Sequence, residues 1–139
     1  MKADKNRHVF DNFRCAGRGL WHALKTQRTM RIHVAAAFLV AAAALAFMWL
    51  GEHFEAVEPV TPAELALLLM TIANVLVVEM INTGIEHLVR ALHPQEHPLL
   101  GAALDISAGA VLVASILAAI VGLIIFVPRA WGVGASIAR

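Results

Sequence analysis

The chain has 139 residues, 60% of them hydrophobic and 15% charged, with a strongly positive mean hydropathy. That balance excludes an ordinary soluble protein, and the length suits one domain, 1–139. A formal net charge of +1 makes no case for nucleic acid as a partner, and the single Cys15 excludes an intrachain disulfide or a thiolate metal site.

From about residue 9 to 29, Phe10, Phe13, Leu20, Trp21 and Leu24 alternate with Arg14, Arg18, Lys25 and Arg28. Phe10, Phe13, Leu20 and Leu24 keep helical spacing, while Arg14, Arg18 and Lys25 lie together off that face. The pattern predicts a basic amphipathic helix lying in the lipid headgroup region. Three apolar blocks follow, predicted as membrane spans over 34–51, 63–90 and 99–127. Each reaches the ~20 residues that cross a bilayer. The first is read as a span and not as a signal peptide, because no small-residue cleavage site follows it.

Eight of the eleven basic residues precede the first span, which places the N-terminus in the cytoplasm. The 51–62 loop, carrying Glu52, Glu55 and Glu58, then lies outside and the 90–98 turn inside. Arg129 and Arg139 fall in an outside tail, against the rule. Thr61-Pro62 is a helix start, with Thr61 as cap and Pro62 in the first turn. A helix from there to Arg90 is about 42 Å long, more than the ~30 Å hydrocarbon core, so its surplus projects into the cytoplasm.

Within this second span stands Glu79-Met80-Ile81-Asn82-Thr83-Gly84-Ile85-Glu86. At about 100° per residue, Glu79, Asn82 and Glu86 share one helix face. Ionisable groups in a span are costly and face protein or water, which marks a functional site. Asp105, about one and a half turns into the third span, is expected at the same depth. The adjoining 107–110 run of small residues suits close helix contact. Carboxylates at this interface can hold Mg²⁺, and one of them can serve as a general base. Together they suit phosphoryl transfer to an alcohol. Neither a GxxxxGK[ST] loop nor a protein-kinase Gly-rich loop is present. For any one of these groups taken alone, the alternative is interhelical hydrogen bonding, as for Asn82. His93, Glu96 and His97 fit a solvated turn better than a metal site, because Pro94 breaks their helical spacing. Trp21, Trp49 and Trp131 fit an interfacial belt.

These residues resemble the small prokaryotic diacylglycerol kinase and undecaprenol kinase family, over about Phe13 to Pro128. The resemblance is carried by Phe13-Arg14-x-Ala16-x-x-Gly19-Leu20, Arg31-Ile32-His33, Glu79-x-x-Asn82-Thr83-x-Ile85-Glu86, His97-Pro98-Leu99, Asp105, Gly109-Ala110-Val111-Leu112 and Gly122-Leu123-Ile124. The His97-Pro98-Leu99 turn and the 109–112 run look more like the undecaprenol kinase branch. The resemblance implies an all-α integral-membrane homotrimer, each subunit with an interfacial helix and three spans. It implies transfer of the ATP γ-phosphate to a lipid alcohol at the cytoplasmic face, with Mg²⁺. By motif position Glu79 is the general base and also touches the metal, and Glu86 is a metal ligand. Asn82 orients phosphate or metal, Asp105 helps hold the nucleotide, and Arg14 lies near the phosphates. Three positions depart from the family pattern. Gln27 stands where a metal-binding Glu is usual, Leu104 where a phosphate-contacting Lys is usual, and Arg90 where Asp is frequent. Gln27 retains a carbonyl oxygen for metal or nucleotide.

The leading expectation is therefore an ATP-dependent lipid kinase. The departures keep two alternatives open, a non-catalytic regulatory member of the family and a lipid phosphatase or other phosphotransferase. A channel fits least, since the polar groups cluster at one interface and do not line a path.

Overall fold

The computed structural model describes residues 2–55, 57–92 and 97–137. It comprises four helices, α1 (Lys2–Thr26), α2 (Arg28–His53), α3 (Pro62–Leu92) and α4 (Pro98–Ile137). No strand occurs among the described residues. Helices α2, α3 and α4 are each long and apolar enough to cross a bilayer. The 31 residues of α3 extend about 46 Å at 1.5 Å per residue, longer than the ~30 Å hydrocarbon core. The expected turn residues His93, Pro94 and Glu96 lie outside the described residues, as does Arg139.

A single residue separates α1 from α2. Gln27 takes an extended conformation (φ −101°, ψ 122°) and its side chain does not cap α2. Its amide donates to the carbonyl of Ala23 at 2.9 Å, closing α1. Helix α1 meets the bundle through its last turns, where Ala23 is buried and the His22 ring meets the His87 ring edge-on at 5.2 Å. Phe10, Phe13 and Leu20 stay exposed. Leu24, the last residue of the apolar face expected for this helix, is half-buried where α1 reaches the bundle.

Helix α3 starts as its sequence demands. The Thr61 hydroxyl accepts from the Glu64 amide at 3.2 Å while the Glu64 carboxylate accepts from the Thr61 amide at 2.8 Å. This reciprocal capping satisfies two amides that a helix start leaves free. Helix α3 is central, packing against α4 and α2. Ala44, Val60, Leu68 and Ile125 form the apolar core at the end that carries the α2–α3 connection, and Phe47 stacks on Phe126 there at 5.8 Å. Gly51 is required at this end, because a Cβ on it would lie 2.5 Å from the Pro59 nitrogen.

Helix α4 runs on to Ile137 and carries Pro128 inside it, past the expected span limit at 127. Arg129 is consequently not a tail residue. It is buried and binds both oxygens of Glu64 (3.0 and 2.8 Å) and the carbonyls of Glu58 (3.1 Å), Pro59 (3.1 Å) and Ile125 (2.6 Å). From this core toward the α1 end an apolar cleft of about 480 Å³ runs over α3, lined among others by Phe126, Leu68, Val40, Ser115, Val75 and His33.

Candidate functional site

The α1 end of the bundle holds the polar face of α3. Glu79 is 2% exposed, and Asn82 and Thr83 are also buried. The break at Gln27 brings the first turn of α2 against this face. The Thr29 hydroxyl donates to Glu79 Oε1, and no cation pairs with Glu79 among the described residues. Burial of a carboxylate without a counter-charge is unfavourable, so the surroundings have to compensate the charge in some other way.

Two turns on from Glu79, Glu86 is the meeting point of a small network. Its Oε1 accepts from Asn82 Nδ2 at 3.1 Å, and its Oε2 accepts from Gln27 Nε2 at 3.5 Å and from Arg90 Nη2 at 3.3 Å. Asn82 is fixed from its other side, since its Oδ1 accepts from the Ser107 hydroxyl at 2.6 Å. The Asn82 amide thus joins α3 to α4 while holding Glu86 in place. The buried Thr83 hydroxyl on the same face has no partner among the described residues.

Glu79, Asn82, Glu86 and Gln27, all singled out from the sequence, therefore come together here. Asp105 does not join them: it is exposed and has no hydrogen bond or ion pair among the described residues. The α4 residue that meets the face is Ser107, two positions on, because the buried stripe of α4 passes through Ser107, Val111 and Ala114. Arg14 is likewise exposed and unpaired among the described residues. Leu104 lies half-buried one turn before Ser107. Thr29 and Ser107 are the contributors that the sequence reading missed as site residues. Small hydroxyl residues on apolar helices carry little sequence signal, and only the packing reveals what they reach.

Among the described residues no three His, Cys, Asp or Glu side chains form a cage for a metal. The oxygen donors are instead the carboxylates of Glu79 and Glu86 and the Thr29 hydroxyl, while Asn82 and Gln27 turn their amide nitrogens to Glu86. That suits Mg²⁺, which takes one or two carboxylates and completes its shell with water and substrate phosphates.

Comparison with known proteins agrees with this architecture. The profile of the family described as prokaryotic diacylglycerol kinase matches residues 14–126. The undecaprenol kinase of Bacillus subtilis (strain 168) is 36% identical over 120 residues, covering 86% of this chain and 89% of that one. The diacylglycerol kinase of Synechocystis sp. is 36% identical over 118 residues, covering 84% of this chain but 61% of the longer relative. With four helices, three of them able to cross a bilayer, and a matched segment taking in all but the ends of the chain, this protein belongs to the prokaryotic diacylglycerol kinase family of integral-membrane lipid kinases.

Proposed function

We propose that the protein is an ATP-dependent kinase that phosphorylates a membrane lipid alcohol, undecaprenol or diacylglycerol, at the cytoplasmic face of the bacterial inner membrane. It works as a homotrimer with the N-terminus of each subunit in the cytoplasm. The observation that carries this reading is Glu79, a buried carboxylate with one hydroxyl partner and no counter-charge among the described residues. A carboxylate held by a single hydroxyl keeps its second oxygen available to a substrate hydroxyl, as a general base requires.

In this scheme Glu79 accepts the proton of the lipid hydroxyl as its oxygen bonds to the γ-phosphorus and the bond to ADP breaks. The Thr29 hydroxyl holds Oε1, which leaves Oε2 as the basic atom. Glu86 and Glu79 offer carboxylate oxygens to Mg²⁺, with the Gln27 carbonyl as a weaker donor. Bound Mg²⁺ supplies charge neutralisation at the transferred phosphoryl group. Asn82, locked between Ser107 and Glu86, orients the phosphate side. Arg90, already beside Glu86, brings a positive charge to the rim where the family's usual lysine is replaced by Leu104. Arg14 and Asp105, both exposed, are free to turn towards the nucleotide. The cleft between α2 and α4 reaches His33 and Val75, one helical turn from Thr29 and Glu79, and so gives an apolar chain a route to the base. The fuller coverage of the undecaprenol kinase relative favours a polyprenol as substrate.

The test is ATP-dependent phosphorylation by purified protein, with undecaprenol and diacylglycerol in parallel. Lipid-dependent ADP release is expected. Its absence together with absent Mg-ATP binding by calorimetry would assign the chain to the non-catalytic reading. Phosphate release from a phospholipid without nucleotide would assign it to a lipid phosphatase.

A further inference from the structure

Helix α1 is joined to α3 by a pair of imidazoles that the chemistry around Glu79 does not use. The His22 ring, about one turn before the end of α1, meets the His87 ring on α3 with centres 5.2 Å apart and planes at 65°. Both residues are exposed. No ring nitrogen of either has a hydrogen-bond partner among the described residues. A neutral imidazole carries one nitrogen lone pair, the donor atom that makes histidine the commonest metal ligand.

The spacing is that of two ligands on one ion. With zinc about 2.1 Å from a ligating nitrogen, each ring centre stands about 3.2 Å from the metal, and a tetrahedral angle sets two such centres about 5.2 Å apart. Rotation about the Cβ–Cγ bond, a broad torsion for histidine, turns a nitrogen of each ring to a common point and leaves the ring centres nearly in place. Neighbouring cations are drawn elsewhere. Lys25 lies over the Trp21 ring at 4.9 Å, Arg18 meets Cys15 at 3.1 Å and Arg90 is paired with Glu86 at 3.3 Å. Imidazole selects Zn²⁺, Ni²⁺ or Cu²⁺ over Mg²⁺, which prefers oxygen. Two protein ligands leave the other positions to water, so the ion exchanges, unlike one in a closed four-ligand structural site.

We propose that His22 and His87 together bind a divalent transition-metal ion such as Zn²⁺ and thereby clasp α1 to α3. Besides this pair, α1 reaches the bundle through the buried Ala23 and the break at Gln27. An ion between the rings therefore fixes the end of α1 and the break that follows it. The site is separate from the carboxylates assigned to Mg²⁺, and it holds whether or not the chain phosphorylates a lipid.

The full-length chain, free of any polyhistidine tag and with His93→Ala and His97→Ala removing the turn imidazoles, tests this in detergent with excess Mg²⁺ over the carboxylates. Electron paramagnetic resonance of bound Cu²⁺ is expected to show coupling to two nitrogens, a measurement that leaves both rings intact. Zn²⁺ affinity by calorimetry is expected to fall about 10-fold or more in His22→Phe and in His87→Phe. Phenylalanine keeps a ring contact but has no ligating nitrogen. Metal-free unfolding midpoints should therefore match that of the unaltered pair, and Zn²⁺ should raise the midpoint only where both histidines are present. Coupling of Cu²⁺ to fewer than two nitrogens would overturn the proposal, as would equal Zn²⁺ affinity with and without the two imidazoles.

Discussion

At the end of the bundle that carries the α2–α3 connection, Glu64 is held through both oxygens by Arg129, and its Oε2 also accepts from the amide and hydroxyl of Thr61. The same guanidinium binds two carbonyls of the connecting loop. At the α1 end, Glu79 is more deeply buried yet has one hydroxyl for company. Glu86 meets its cation only at a solvent-exposed rim, 3.3 Å away. One end spends its charges on fastening helices and loop together, while the other keeps carboxylates under-compensated at some expense to stability. A protein tolerates that imbalance where something positively charged is to be bound.

The contrast is broken most sharply by removing one carboxylate. Glu79→Gln is expected to lower lipid-dependent ADP release by at least about 100-fold, the contribution of a general base. Its thermal unfolding midpoint should be unchanged or raised, because a neutral amide costs less to bury than an unpaired carboxylate. Arg129→Met should do the reverse. Removing one partner of a closely held ion pair costs about 3 kcal/mol, read as a lowered unfolding free energy in detergent. The specific activity of the fraction that remains folded should be unaltered. If Arg129→Met abolished turnover without loss of stability, the two ends could not be assigned separate duties.

Much of this layout was legible from sequence. The number of membrane helices follows from apolar length, and the start of α3 from Thr61-Pro62. The Glu79, Asn82 and Glu86 face follows from helical spacing alone. What spacing along one helix cannot show is which residue of another helix arrives opposite. Asp105 looked level with Glu79 by counting residues, yet the rotation of α4 presents Ser107 instead. Arg129 looked like a tail charge because the expected span ends at 127, but the helix continues through Pro128 and the guanidinium turns inward. Thr29 gave no warning, since its role depends on the break at Gln27 that lays α2 across α3.

Thr29 sharpens the comparison at smaller scale, because among the described residues its hydroxyl makes the one hydrogen bond to the candidate base. Thr29→Val removes that bond while keeping the shape. The expected result is a kcat about 10-fold lower, the worth of a hydrogen bond to a charged acceptor. The KM values for ATP and lipid should stay the same, and Thr29→Ser should restore the rate. A Thr29→Val protein with unchanged kcat would show that Glu79 is oriented by something else.

The smallest effect is expected at Gln27. Its amide donates to Glu86 at 3.5 Å, a long contact that offsets a little of the carboxylate charge without any metal. Gln27→Glu replaces that donor with a second carboxylate facing Glu86. Two acids at that separation repel unless a cation lies between them, so the variant should be slightly less stable in metal-free buffer and regain stability when Mg²⁺ is added. The concentration of Mg²⁺ for half-maximal activity should fall by about 5-fold, since affinity for such ions rises with the count of charged oxygen ligands. Because Arg90 approaches the same Glu86 oxygen, it competes with any ion there. Gln27→Glu combined with Arg90→Ala should therefore lower the Mg²⁺ requirement further than either change alone. If neither variant moved the Mg²⁺ dependence, the cation would have to be held away from Glu86, and the under-compensated end of the bundle would be using its charge for the lipid proton only.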